Sequence, residues 1–168
     1  LTDFVEINTH STNPNNPDTD GDGYSGNWQQ IGQTITNTIE SQEIGASVAF
    51  NEDGTIMAVG CTEGYHAGNG SGMVLVYTWD GSSWNLMGDI IQSRTYEIGE
   101  LFGWDVSLSA SGHRLLVGAP ALNSSVHSGE VELFAWDGSS WNRRWEAAAN
   151  GNPFESEDFG QSVSLSAD

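Results

Sequence analysis

The sequence contains no lysine, and its only fixed cations are Arg94, Arg114, Arg143 and Arg144, set against 23 aspartates and glutamates. The formal charge is −19. Phosphate recognition needs clustered cations, so the composition excludes nucleic acid as a partner. An anionic lipid surface is excluded in the same way unless divalent cations bridge it. Cys61 is the one cysteine, so there can be no intrachain disulfide and no thiolate pair for zinc. His10, His66, His113 and His127 show no metal-ligand spacing. No apolar run approaches the ~20 residues of a membrane-spanning helix, which argues against direct membrane insertion. No serine sits in a nucleophile-elbow pattern, and every carboxylate pair lies in a repeating loop; the chain is therefore expected not to be an enzyme. It begins at Leu1 and shows no leader, which predicts a processed chain or one cut from something longer.

What is present is glycine, tryptophan and repetition. With 21 glycines, seven tryptophans and few helix formers, the composition points to an all-β chain rich in turns. Trp79-Asp80-Gly81-Ser82-Ser83-Trp84-Asn85 recurs 57 residues later as Trp136-Asp137-Gly138-Ser139-Ser140-Trp141-Asn142. Ile44-Gly45-Ala46-Ser47-Val48-Ala49-Phe50 aligns with Phe102-Gly103-Trp104-Asp105-Val106-Ser107-Leu108 and again with Phe159-Gly160-Gln161-Ser162-Val163-Ser164-Leu165. Trp28-Gln29-Gln30-Ile31-Gly32 resembles Trp84-Asn85-Leu86-Met87-Gly88. Several landmarks in one order establish an internal repeat. Each unit reads as four strands: Ser47 to Phe50, Ile56 to Gly60, Met73 to Trp79 and Trp84 to Ile91. Asp80-Gly81-Ser82-Ser83 closes a hairpin whose flanking tryptophans can clamp the register across the strands. The units span about 40–96 and 97–153, with a partial one over 154–168 and a closing strand of an earlier one ahead of them.

Phe102-Gly103 followed by Gly118-Ala119-Pro120 resembles the FG-GAP repeat of integrin α-chains, over residues 27–168. The resemblance implies four-stranded antiparallel β-propeller blades, two complete plus partial ones. The first unit departs from it, with Ile44-Gly45 and Gly60-Cys61-Thr62 at the two signatures. The turns Asn51-Glu52-Asp53-Gly54 and Ser109-Ala110-Ser111-Gly112 hold too few carboxylates for the six or more oxygens of a calcium site, so these blades are expected to lack calcium. A propeller needs ~4–8 blades, which predicts that further blades or neighbouring copies complete the object.

Ahead of the repeats, Asp18-Thr19-Asp20-Gly21-Asp22-Gly23-Tyr24 places three carboxylates at alternate positions before a glycine turn. That spacing lets one loop wrap Ca²⁺, with Asp18, Asp20, Asp22 and the Tyr24 carbonyl as ligands. With Asn13-Pro14-Asn15-Asn16-Pro17 before it, the segment 1–26 resembles a thrombospondin type 3 repeat, an irregular calcium-binding loop. The resemblance implies that Asp3 and Glu6 close a preceding loop.

In a four-stranded blade the longer connections share one face. Those connections carry two glycosylation sequons, Asn69-Gly70-Ser71 and Asn123-Ser124-Ser125. They also carry an acidic row, Glu40, Glu43, Glu97, Glu100, Glu155, Glu157 and Asp158, read as a solvated rim or as a surface for calcium-bridged contact. Cys61 occupies the place of Ala119 and is expected to be small and buried. These features predict a non-enzymatic extracellular module, secreted or on the cell surface. It would be stiffened by calcium, serve structure or adhesion, and belong to a larger surface protein or fibril. A glycan-binding lectin-like propeller, using Tyr65, Tyr96 and Trp104, and a repeat subunit of an extracellular glycoprotein filament are the alternatives. The expected partners are a protein or glycan on the cell surface or matrix, and other copies of the chain.

Overall fold

The computed structural model describes residues 30–35, 44–62, 71–93, 99–120, 129–148 and 158–167. The chain divides into two compact units, Leu1–Gln33 and Thr34–Asp168. In the described part of the first, Gln30 Nε2 donates to the Gly32 carbonyl at 3.3 Å. Among its described residues the second unit holds nine strands in two antiparallel sheets, and the described chain is all-β.

The first sheet contains β1 (Ile44–Phe50), β2 (Ile56–Cys61), β3 (Met73–Trp79), β4 (Trp84–Leu86) and β5 (Ile91–Gln92). They pair in sequence order, with β4 and β5 both lying along β3 as one interrupted outer strand. The second sheet is β6 (Asp105–Leu108), β7 (Arg114–Ala119), β8 (Glu130–Trp136) and β9 (Trp141–Ala148), again in sequence order. Two successive four-position antiparallel meanders of this kind resemble propeller blades. Val-, Ile- and Leu-rich runs build β2, β3 and β7, whereas the hairpin loops carry the Asp-Gly-Ser-Ser turn. In each loop one aspartate organises the turn: Asp80 accepts from the Ser82 and Ser83 amides, and Asp137 from those of Ser139 and Ser140, all at 2.9 Å. The tryptophans then face each other across the strands, with ring centroids 5.2 Å apart for Trp79–Trp84 and 5.5 Å for Trp136–Trp141.

The fourth strand expected over Trp84 to Ile91 is broken, because Gly88 to Ile90 leave the ladder beyond the Met87 amide, which still donates to the Val76 carbonyl at 2.7 Å. The cause is the neighbouring sheet. A side chain at Gly88 (φ +82°) would come within 2.7 Å of the Trp136 ring, and Trp141 Nε1 donates to the Met87 carbonyl at 3.0 Å. The break is the seat for the next sheet's tryptophan pair. In the second sheet the corresponding strand runs unbroken, with one bulge that leaves Arg144 without a counterpart on β8.

The core lies between the sheets. Ile56, Ala58, Val74 and Val76 of the first meet Val106, Leu108, Leu115, Val117 and Phe134 of the second. Phe102 is fully buried and meets Phe134 edge to face at 6.2 Å. Cys61 is likewise buried, and burial pushes its thiol up to about 11, as suits a small apolar filler.

The two sheets are joined by contacts that then recur between the second sheet and residues 158–167. The Glu52 amide donates to the Ala110 carbonyl, and the Ala110 amide donates to the Ala167 carbonyl. Gly72 bridges Phe102 in parallel, and Gly129 bridges Phe159. Gly60 lies against the Gly103 carbonyl, and Gly118 against that of Gly160; a Cβ at either would overlap it. One unit-to-unit operation is therefore applied twice.

Candidate functional site

Asp3, Glu6, Asp18, Asp20, Asp22 and Tyr24, the predicted calcium ligands, lie outside the described residues, as do the sequon asparagines Asn69 and Asn123. What the structure does place is the framework of the two sequon loops. They connect β2 to β3 and β7 to β8, leaving from the register pairs Cys61–Met73 and Ala119–Glu130. Those pairs are equivalent positions of the two sheets. Tyr65 and Tyr96 also lie outside the described residues, while Trp104 is 37 % exposed. Within the described residues, no three His, Cys, Asp or Glu side chains are grouped to hold a metal. The carboxylate of the β1–β2 turn is engaged locally, Asp53 accepting from the Thr55 amide at 2.9 Å.

The acidic rim needs one correction. Glu100, read from sequence as part of a solvated row, is only 2 % exposed. It is two residues from Phe102, whose ring fills the space between the sheets, and the chain leading into that ring carries Glu100 inside with it.

A polar cluster that the repeat does not announce lies between the sheets. Strand alternation puts Glu130, Glu132 and Phe134 of β8 on the face toward the first sheet. Glu132 is 1 % exposed and contacts Arg143 of β9, Oε2 to Nε, at 2.5 Å. Arg143 also approaches Glu146 at 3.6 Å, and its guanidinium carbon stands 5.8 Å from the Phe134 ring centroid. Ser93, just after β5, donates to Glu130 Oε1 at 3.4 Å across the sheet boundary. Burial, then the charge of Glu130, push the Glu132 carboxyl up to about 7, against the opposing pull of Arg143. The equivalent positions in the first sheet are Leu75 and Leu86, and that of Glu130 is Met73. The replacement of Met73, the buried Leu75 and the exposed Leu86 by Glu130, Glu132 and Arg143 was legible in the 57-residue alignment as charged exchanges at matched positions of the third and fourth strands.

At the other extreme of exposure, Asp80 and Asp137 are held well below the ordinary carboxylate range by the serine amides that bond them. Both are turn-formers. The exposed large apolar side chains among the described residues are Ile31, Val48, Phe50, Leu86, Trp104, Trp145 and Phe159.

No family model matches the chain, and no curated protein matches it. Among solved structures, the crystal structure of the Cps50 (Swd1) β-propeller domain of Myceliophteria thermophila aligns over 69 % of this chain at 20 % identity. The TM-score is 0.39, and the aligned part spans 29 % of that chain's length. The description of the two sheets as blade-like rests on their own strand order and on the contact repeated between successive units.

Proposed function

We propose that the chain is a non-enzymatic structural and adhesive module of an extracellular protein or fibril, with calcium stiffening the segment ahead of its blades. The observation that supports this most is the recurrence of one unit-to-unit contact, Glu52 to Ala110 and then Ala110 to Ala167, with the glycine approaches that accompany it. Repeats joined by an identical nearest-neighbour interface are built to be stacked, and their stability grows with each added neighbour. The chemistry of the described residues fits that role. The aspartates with depressed proton affinity hold hairpins, and the buried cysteine fills space.

The calcium part of the reading rests on the spacing Asp18, Asp20, Asp22, whose mutual repulsion a cation would relieve. Sequons at equivalent loops, Asn69 and Asn123, would carry glycans on one face and leave the hairpin face open to a partner. Limited proteolysis with calcium and with chelator tests the ion. Cleavage within residues 1–26 should slow in calcium, and equal rates would remove calcium from the proposal. A glycan array tests the lectin alternative, for which Trp104 is the one described aromatic candidate. Selective retention of a sugar lost in Trp104→Ala would replace the structural reading with the lectin one.

A further inference from the structure

We propose that β9 is a self-pairing edge: two copies of this chain join antiparallel along it, about a two-fold axis through Trp145. The proposal deepens the reading of the chain as an assembly module by naming the partner as a second copy and the surface as this strand. Among the described residues β9 pairs with β8 alone, which leaves its other side a sheet edge there. An edge offers a row of backbone donors and acceptors to any strand that fits. The two sheets treat this edge differently. In the first it is divided into β4, three residues, and β5, two residues, with Gly88 to Ile90 turned out between them where Trp136 and Trp141 are seated. In the second it runs eight residues without a break. The repeat therefore divides one edge and leaves the other long, with the bulge at Arg144 as the irregularity in its register with β8.

The sequence of that edge is complementary to itself. Arg144, Trp145 and Glu146 are consecutive and exposed, Trp145 at 52 %. In an antiparallel pair centred on Trp145, Arg144 of each copy stands opposite Glu146 of the other, and the two indoles meet at the axis. Arg143 reinforces the pattern, because it already lies 3.6 Å from Glu146 in its own chain. The strand holds two of the four arginines in a chain of charge −19. Copies approaching along any acidic surface would repel, whereas this strand brings cations to the meeting point. A two-fold pair uses the same patch on both copies and closes after two, so it links without aggregating. A single strand edge is a small interface, which sets the expected strength in the micromolar range or weaker.

Sedimentation of the chain across a wide concentration series, with Arg144→Glu, Glu146→Arg and the double exchange, reads this directly. The wild type should show a monomer–dimer equilibrium. Each single variant should weaken it by about tenfold or more, since each replaces two attractive pairs by two repulsive ones. The double exchange should restore it to within about threefold, because the pairs are re-formed with their signs swapped. Trp145→Ser, which alters an exposed ring, should weaken pairing while leaving the melting transition unchanged. It decides the case if Glu146→Arg disturbs the fold through Arg143. A wild type that stays monomeric overturns the proposal. So does a dimer indifferent to both Arg144→Glu and Trp145→Ser, in which case assembly would stand and would use another surface.

Discussion

Glu132 is the residue at which this chain departs most from its own repeat. A carboxylate 1 % exposed beside a second glutamate is costly to ionise, and Arg143 only partly offsets that cost. Its proton affinity is raised from 4.5 to about 7. The folded chain thus keeps a proton that the unfolded chain has lost. The stability from that proton is fully present below about pH 4.5 and is lost as pH rises through about 7. Asp80 and Asp137 act in the opposite sense, because their depressed affinities favour the fold above the ordinary aspartate range and less below it. Restoring the first sheet's residues, Glu132→Leu with Arg143→Leu, should flatten the decline between about pH 5 and 8, by roughly 2 kcal/mol of unfolding free energy. At neutral pH the exchange should be neutral or stabilising. Chemical denaturation at several pH values measures both. Parallel pH profiles for the two proteins would show that Glu132 does not carry the effect.

Among the elements, the tryptophan hairpin does two jobs. Within a sheet, Trp136 and Trp141 clamp β8 to β9; between sheets, they rest on the turned segment at Gly88 and bond the Met87 carbonyl. Trp136→Ala should therefore cost about 3 kcal/mol, as large-to-small changes at packed rings do. Trp141→Phe keeps much of the ring but leaves the Met87 carbonyl without its indole donor, for about 1 kcal/mol. Gly88→Ala introduces a Cβ that collides with the Trp136 ring at a φ of +82°, and should lose about 2 kcal/mol or more. Thermal melts of the three variants check the order. An innocuous Gly88→Ala would show that the seat can open and that the strand break has another origin.

At the scale of the molecule, stability rests on interfaces between successive units rather than on any one sheet. Gly60 and Gly118 let the backbone of the next unit approach closely, at carbonyls of Gly103 and Gly160. Asp105 Oδ2 accepts from the Val163 amide at 2.7 Å and Ser107 Oγ from that of Leu165 at 3.0 Å, so side chains of β6 hold the segment 163–165. Asp105→Ala should lower stability by about 1 to 2 kcal/mol and speed hydrogen exchange at Val163 most. Unchanged exchange there would mean that residues 158–167 are held by other contacts. Gly60→Ala should lose more, because the clash is with backbone that cannot rotate aside.

The repeat, the all-β class, the third strand Met73–Trp79 and the tryptophan clamps were legible in the sequence, since each depends on residues a few places apart or on one recurring spacing. Turn chemistry was legible for the same reason: Asp80 and Asp137 bond amides two and three residues on. The break after Leu86, the buried Glu100 and the inward Glu132–Arg143 pair were decided elsewhere. Each depends on what the adjoining sheet puts opposite it: the Trp136 and Trp141 rings at Gly88, the interior around Phe102, and Ser93 beside Glu130. Local periodicity says which face of a strand is inward. Only packing between sheets determines what that face meets, and so whether a charge, a break or a ring can be accommodated there.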